Sequence, residues 1–202
     1  MSRNRSKLVA VLCVLATTSV LSACSGLTQS DKPAITVWWL EPYTGMTRVD
    51  SDDPPVPVKL TVTAVPGLDN DRVLTLSADA ELKPYAGARW ADDLPELVSS
   101  LIGRSLQASG KFELVQNLPR KDSAGCDVQL ELQAFFADRD VSGGTTGVRT
   151  AVGGHIRCGA AAPVLVHTDT RVAVGAESMN AVVAAFQQAT DKLTQDIINK
   201  IQ

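Results

Sequence analysis

Cys24 stands where the sequence can direct covalent chemistry at its own N-terminus. The four residues Leu21-Ser22-Ala23-Cys24 follow a basic stretch, Arg3, Arg5 and Lys7, and then an apolar run, Leu8 to Val20, interrupted only by Thr17, Thr18 and Ser19. That is the layout of a secretory signal peptide, too short and wrongly flanked for a membrane-spanning helix. Most such signals end in a small-x-small site. This one ends in a cysteine and resembles the bacterial lipobox. There the sulfur receives a diacylglycerol, the chain is cut before the cysteine, and the new amino terminus is often acylated with palmitate. The plainer alternative is an ordinary signal that happens to hold a cysteine; position, flanks and spacing all favour the lipobox. Each buried methylene contributes about 0.8 kcal/mol and one chain holds only marginally, so two or three chains on Cys24 make a lasting anchor.

The remaining cysteines divide by position. Cys13 lies inside the signal, leaving Cys126 and Cys158 for an oxidising compartment. If residues 127–137 and 148–158 form one hairpin, partners across it have a constant number sum. Cys126 and Cys158 then centre the turn on Ser142-Gly143-Gly144. Opposed residues have α-carbons about 4.5–5.5 Å apart, within disulfide reach, so a Cys126–Cys158 disulfide is expected. The competing chemistry is a metal site, because His155-x-x-Cys158 lies near Cys126 and His167. Residues three apart on a strand face opposite ways, so that site requires a bulge, for which Gly153-Gly154 provides an opening. No metal and no cofactor is expected.

Catalytic patterns are weak. There is no G-x-S-x-G elbow, no phosphate-cradling glycine loop and no H-E-x-x-H. Both histidines fall in expected strands rather than loops. Asp92-Asp93 is explained by a helix N-terminus. Asp50, Asp52 and Asp53 lack the spacing and closing glutamate of a calcium loop. The expectation is a non-enzyme.

The elements that position these residues follow from periodicity. Ile35–Leu40 reads as a first strand, and Ser25 to Lys32 before it as a short polar tether. An Asp/Pro-rich loop over 45–57 precedes Val58–Val65, which alternates Val58, Leu60, Val62 and Ala64 against Lys59, Thr61 and Thr63. Val73–Ser77 and Ala80–Pro84 are shorter strands. A helix starts between Asp92 and Pro95, carries Leu94, Leu97, Val98, Leu101, Ile102 and Leu106 on one face, and stops at Ser109-Gly110. Phe112–Val115, Asp127–Ala137, Val148–Cys158 and Val164–Val174 are strands. A last helix begins near Ser178 and repeats apolar residues from Met179 to Ile201. This is an α+β domain: a mixed, mostly antiparallel sheet with two amphipathic helices packed on one face. The organisation is a signal over 1–23, a lipidated tether over 24–33 and one domain over 34–202.

The 202 residues carry 19 Lys and Arg against 22 Asp and Glu. Residues 1–23 hold three of the basic groups and none of the acidic ones, so cleavage leaves 16 against 22, a net of −6. That charge argues against nucleic acid or an anionic membrane surface as an electrostatic partner.

One further stretch stands out. Tyr85, Arg89 and Trp90 come just before the first helix. Trp90 packed under the helix, with Arg89 capping a carboxylate or a carbonyl, is the structural reading. A partner-docking surface formed by Tyr85, Arg89 and Trp90 is the functional one.

With this stretch the chain resembles the ABC-type transport auxiliary lipoprotein family, of the PqiC type. The resemblance rests on the lipobox, on Trp38-Trp39-Leu40-Glu41-Pro42, and on Val58 to Leu68. It also rests on Tyr85 with Arg89-Trp90, on Leu106-Gln-Ala-Ser-Gly110-Lys-Phe112, and on Ala185-Phe186-Gln-Gln-Ala189. It departs at Trp38-Trp39, where the family has a Tyr-rich run, and in the Asp/Pro-rich loop. The resemblance implies a lipoprotein working with an ABC permease and ATPase and an MCE-domain protein that move phospholipid between inner and outer membranes. Ser25 after the lipidated cysteine favours the outer membrane over the inner one. A homo-oligomer is an open expectation. The alternative reading is an outer-membrane assembly or secretion-system lipoprotein with a structural role.

Overall fold

A computed structural model describes residues 34–45, 53–118 and 125–201. Cys24, the signal, the tether, Asp50 and Asp52 lie outside the described residues. From Ile35 onward the chain forms one compact unit.

Eight strands and two helices run β1 (Thr36–Trp38), β2 (Val56–Ala64), β3 (Arg72–Leu76), β4 (Leu82–Trp90), α1 (Leu94–Ala108), β5 (Phe112–Leu114), β6 (Cys126–Arg139), β7 (Thr145–Cys158), β8 (Val164–Ala173) and α2 (Met179–Ile201). All strands join one sheet organised on β6. One edge of β6 pairs antiparallel with β7 along its length, and β7 pairs antiparallel with β8. The other edge is shared. Cys126–Leu132 lies parallel to β2, which carries β5, and Phe136–Asp138 lies parallel to β3, which carries β4 and then β1.

The α+β architecture stands as expected, with a correction to the sheet. Four of its seven pairings are parallel, β1–β4, β2–β5, β2–β6 and β3–β6. Only the long β6–β7–β8 meander and the β3–β4 hairpin are antiparallel. Parallel neighbours need long crossover connections, and the path from β2 to its parallel neighbour β5 runs through β3, β4 and α1.

A one-residue irregularity in β6 decides which side chains reach the core. Val128, Leu130 and Leu132 alternate with exposed Gln129 and Glu131, but the register shifts between Leu132 and Ala134. Beyond this bulge the helix-facing residue is Phe135, which contacts Phe186 of α2. A strict alternation places Ala134 on that face instead; the extra residue, Gln133, inverts the pattern. A second irregularity between Asp138 and Arg139 restores the original number sum before the turn. The simple hairpin arithmetic therefore holds at Cys126 and Cys158 despite two interruptions.

The turn itself is held by Asp140. Its carboxylate accepts from the Ser142 hydroxyl at 2.6 Å and the Gly144 amide at 3.0 Å, while Gly143 takes the left-handed φ of 86°. The Ser142 hydroxyl bond, ahead of the Gly144 amide, lowers the Asp140 pKa.

Both helices cover one face of the sheet. α1 packs on β2 and β5, α2 on β7 and β8, and the helices touch each other. α1 starts after Asp93, with Pro95 in its first turn, and ends with Gly110 at a φ of 73°. The Ser178 hydroxyl caps α2 by accepting the Ala181 amide at 3.2 Å. The opposite sheet face carries Thr61, Thr63, Gln129, Glu131 and Gln133, all exposed.

Candidate functional site

Trp90, at the end of β4, is 2% exposed. Its ring meets Phe135 at 5.7 Å and Phe186 at 5.1 Å, both edge-on, and those two rings stack at 4.9 Å. One aromatic cluster thus joins β4, β6 and α2. Neighbouring residues of a strand face opposite ways, so Arg89 lies on the other side of β4. Its guanidinium donates to both Asp71 oxygens, at 3.0 and 2.7 Å, with side chains 44% and 32% exposed. Tyr85 is partly buried against the core from the same strand. The three residues therefore do not form one surface. Trp90 supports the strand from beneath, Tyr85 packs against the core, and Arg89 alone of the three turns to the outer face, across a register irregularity between Pro84 and Arg89.

β1 lies beside this strand, with Val37 opposite Arg89 and Trp38 opposite Trp90. The chain then leaves the sheet and crosses onto the helices. Leu40 is fully buried. The Glu41 backbone is held from both sides by the Gln187 amide of α2, accepting from its N–H at 2.8 Å and donating to its carbonyl at 2.9 Å. The Tyr43 amide donates to Ser105 Oγ of α1 at 2.9 Å. This strap is invisible in the sequence, because Gln187 and Ser105 are ordinary helix residues there.

Cys126 and Cys158 are bonded, with α-carbons 4.0 Å apart and registered opposite one another. The loop they close spans 32 residues of separation. On the chain-entropy model, losing it costs about 3–4 kcal/mol. The Cys126→Ser, Cys158→Ser protein is expected to show that loss in urea unfolding against the oxidised parent. A change below about 1 kcal/mol would contradict the chain-entropy account.

His155 and His167 are not drawn together with the cysteines. His155 pairs with Leu165 and Gln129, His167 with Gly153, and the disulfide occupies Cys158. Among the described residues, no three His, Cys, Asp or Glu side chains are placed to hold a metal. One groove runs between β2 and α1, lined by Leu60, Val62, Glu96 and Leu114. Another lies between the β3–β4 and β6–β7 turns. Neither histidine borders them.

Arg149 and Asp169 form the best-aligned ion pair on the helix-distal face, Nε to Oδ1 at 3.0 Å and Nη2 to Oδ2 at 2.6 Å. The hydrogen bonds from Arg149 hold the Asp169 pKa below the usual carboxylate range, and Asp169 raises that of Arg149. A lowered carboxylate pKa contributes stability above the unfolded value of about 3.9, lost as the pH falls through the folded value. Unfolding curves of Asp169→Asn and the parent are therefore expected to differ at about pH 6 and to converge towards about pH 2. A constant gap across that range would show that the pair does not act through ionisation.

Among the described residues, no helix is long and apolar enough to cross a membrane. The fold is shared with solved structures. One, described only as an uncharacterized protein, has a TM-score of 0.65 at 11% identity, covering 84% of this chain and 100% of its own. Protein XCC0632 from Xanthomonas campestris has a TM-score of 0.58 at 19% identity, covering 82% of this chain and 91% of its own. At such identities the likeness establishes the fold alone. No curated protein matches. The family model for the ABC-type transport auxiliary lipoprotein component matches residues 44–198. That span takes in β2 to β8, α1 and nearly all of α2, so this chain belongs to the ABC-type transport auxiliary lipoprotein family.

Proposed function

We propose that the protein is anchored through acylated Cys24 in the outer membrane, facing the periplasm. There it serves an ABC- and MCE-type system that moves phospholipid between the two membranes. It acts without catalysis, as a docking component that supports envelope integrity. One observation carries the reading: the domain of a transport auxiliary lipoprotein family follows directly on a lipobox, Leu21 to Cys24. The polar, helix-distal sheet face with Thr61, Gln129 and Glu131 supports docking rather than carriage of lipid inside the domain. The docking surface centres on β4, where Arg89 is half-exposed, Tyr85 is partly buried against the core and Trp90 holds the strand from behind. Ser25 favours delivery to the outer membrane.

Affinity purification from detergent-solubilised envelopes tests the reading. The mature lipoprotein should bring down an MCE-domain protein or an ABC permease, and Tyr85→Ala with Arg89→Ala should recover less of it. Repeated recovery of neither partner would sink the proposal. Recovery of an outer-membrane assembly or secretion component instead would favour that alternative.

A further inference from the structure

Among the described residues β1 is an outermost strand of the sheet, paired with β4 alone. Val37 within it, Ile35 just before it and Trp39 just after it are 61%, 56% and 52% exposed. The intervening Trp38 packs against the core. Such a row of three large apolar side chains left in water around one edge strand is unusual for a soluble domain and marks a contact. Arg104 of α1 places its guanidinium 5.0 Å from the centre of the Trp39 ring, so a cation borders the aromatic end of the row.

We infer that this row is the domain's contact with the lipid bilayer that holds it. The inference rests on the proposed acylation of Cys24. Only residues 25–34 separate Cys24 from Ile35, a stretch that reaches roughly 40 Å at full extension. The row is thus the part of the folded domain nearest the anchor along the chain, held at high effective concentration near the membrane. Its chemistry suits the headgroup–acyl boundary: branched aliphatics beside a tryptophan, whose amphipathic ring favours that layer, with an arginine at the rim. The contact is shallow, because water and headgroups there satisfy the amides of an open strand edge, as the hydrocarbon interior does not. With a net charge of −6 on the processed chain, apolar contact rather than long-range attraction holds it.

The test uses the mature lipoprotein in vesicles of phosphatidylcholine and phosphatidylglycerol, with and without bromine on the acyl chains near the headgroups. Trp39 is one of three tryptophans, and Trp90 is buried. Bromolipid is expected to quench part of the emission, and Trp39→Phe is expected to remove that loss while leaving the unfolding midpoint unchanged. Intact mass reports acylation independently. An unmodified Cys24 would overturn the anchor and this contact with it. An acylated protein with no Trp39-dependent quenching would overturn the contact alone. Trp39 shielded from aqueous acrylamide yet untouched by bromolipid would assign the row to a protein partner instead.

Discussion

If Cys24 carries the proposed anchor, replacing it with alanine is expected to abolish palmitate labelling and to eliminate the processed, membrane-held form entirely. Sulfur is the only group at that position able to carry the thioether, and among the described residues no helix is long and apolar enough to span a membrane in its place. At about 0.8 kcal/mol per buried methylene, two or three acyl chains outweigh anything an exposed row of three side chains contributes. The outcome is read by intact mass and by partitioning between detergent and aqueous phases. What remains is either uncleaved precursor, retaining residues 1–23, or a water-soluble periplasmic chain. A Cys24→Ala protein that still reaches the outer membrane with a processed N-terminus would refute the lipobox reading.

The second large effect lies in the core. Trp90→Ala is expected to cost about 3–5 kcal/mol in urea unfolding, the range for removing a buried large aromatic. It leaves a cavity beside the stacked Phe135 and Phe186 rings and removes two edge-on ring contacts, each worth about 0.5–1.5 kcal/mol beyond burial. Against the 5–15 kcal/mol typical of a domain, that is a large share of the total. Trp90→Phe is expected to cost far less. It keeps much of the volume and removes an indole N–H that finds no acceptor among the described residues. Arg89→Ala, one residue away, breaks only a half-exposed pair and is expected to cost at most about 1 kcal/mol. Equal losses at 89 and 90 would contradict the division of β4 into a buried and an outer face.

That division shows what a one-dimensional pattern discloses. Leu94 to Leu106 and Val182 to Ile201 keep a helical period, and both helices appear where the pattern places them. The Cys126–Cys158 pairing follows from hairpin symmetry. By contrast β4 extends to Trp90, whereas alternation ends it at Pro84, because Pro84 and Gly87 interrupt the apolar signal on an outer segment of the sheet. The bulge at Gln133 also has no local mark: glutamine fits a strand's polar face equally well in or out of register. Parallel pairing of β2 and β3 with one edge of β6 is set by crossovers, which no pattern within a strand encodes. The Gln187–Glu41 strap joins residues 146 apart in sequence, and nothing local at either end announces it.

The strap has a mechanical meaning. If the chain hangs from a lipid at Cys24, any pull between membrane and domain enters through the N-terminal end of β1. β1 lies parallel to β4 over three registered pairs, so the load runs along the strands and strains their hydrogen bonds together rather than one by one. Behind it, the buried Leu40 side chain and the paired bonds from Gln187 act as a stop, passing tension to α2, while Ser105 passes it to α1. Under that load the attachment point works as a shear joint with a backstop, and an anchor that drifts in a fluid membrane would drag the whole domain before it unzipped β1.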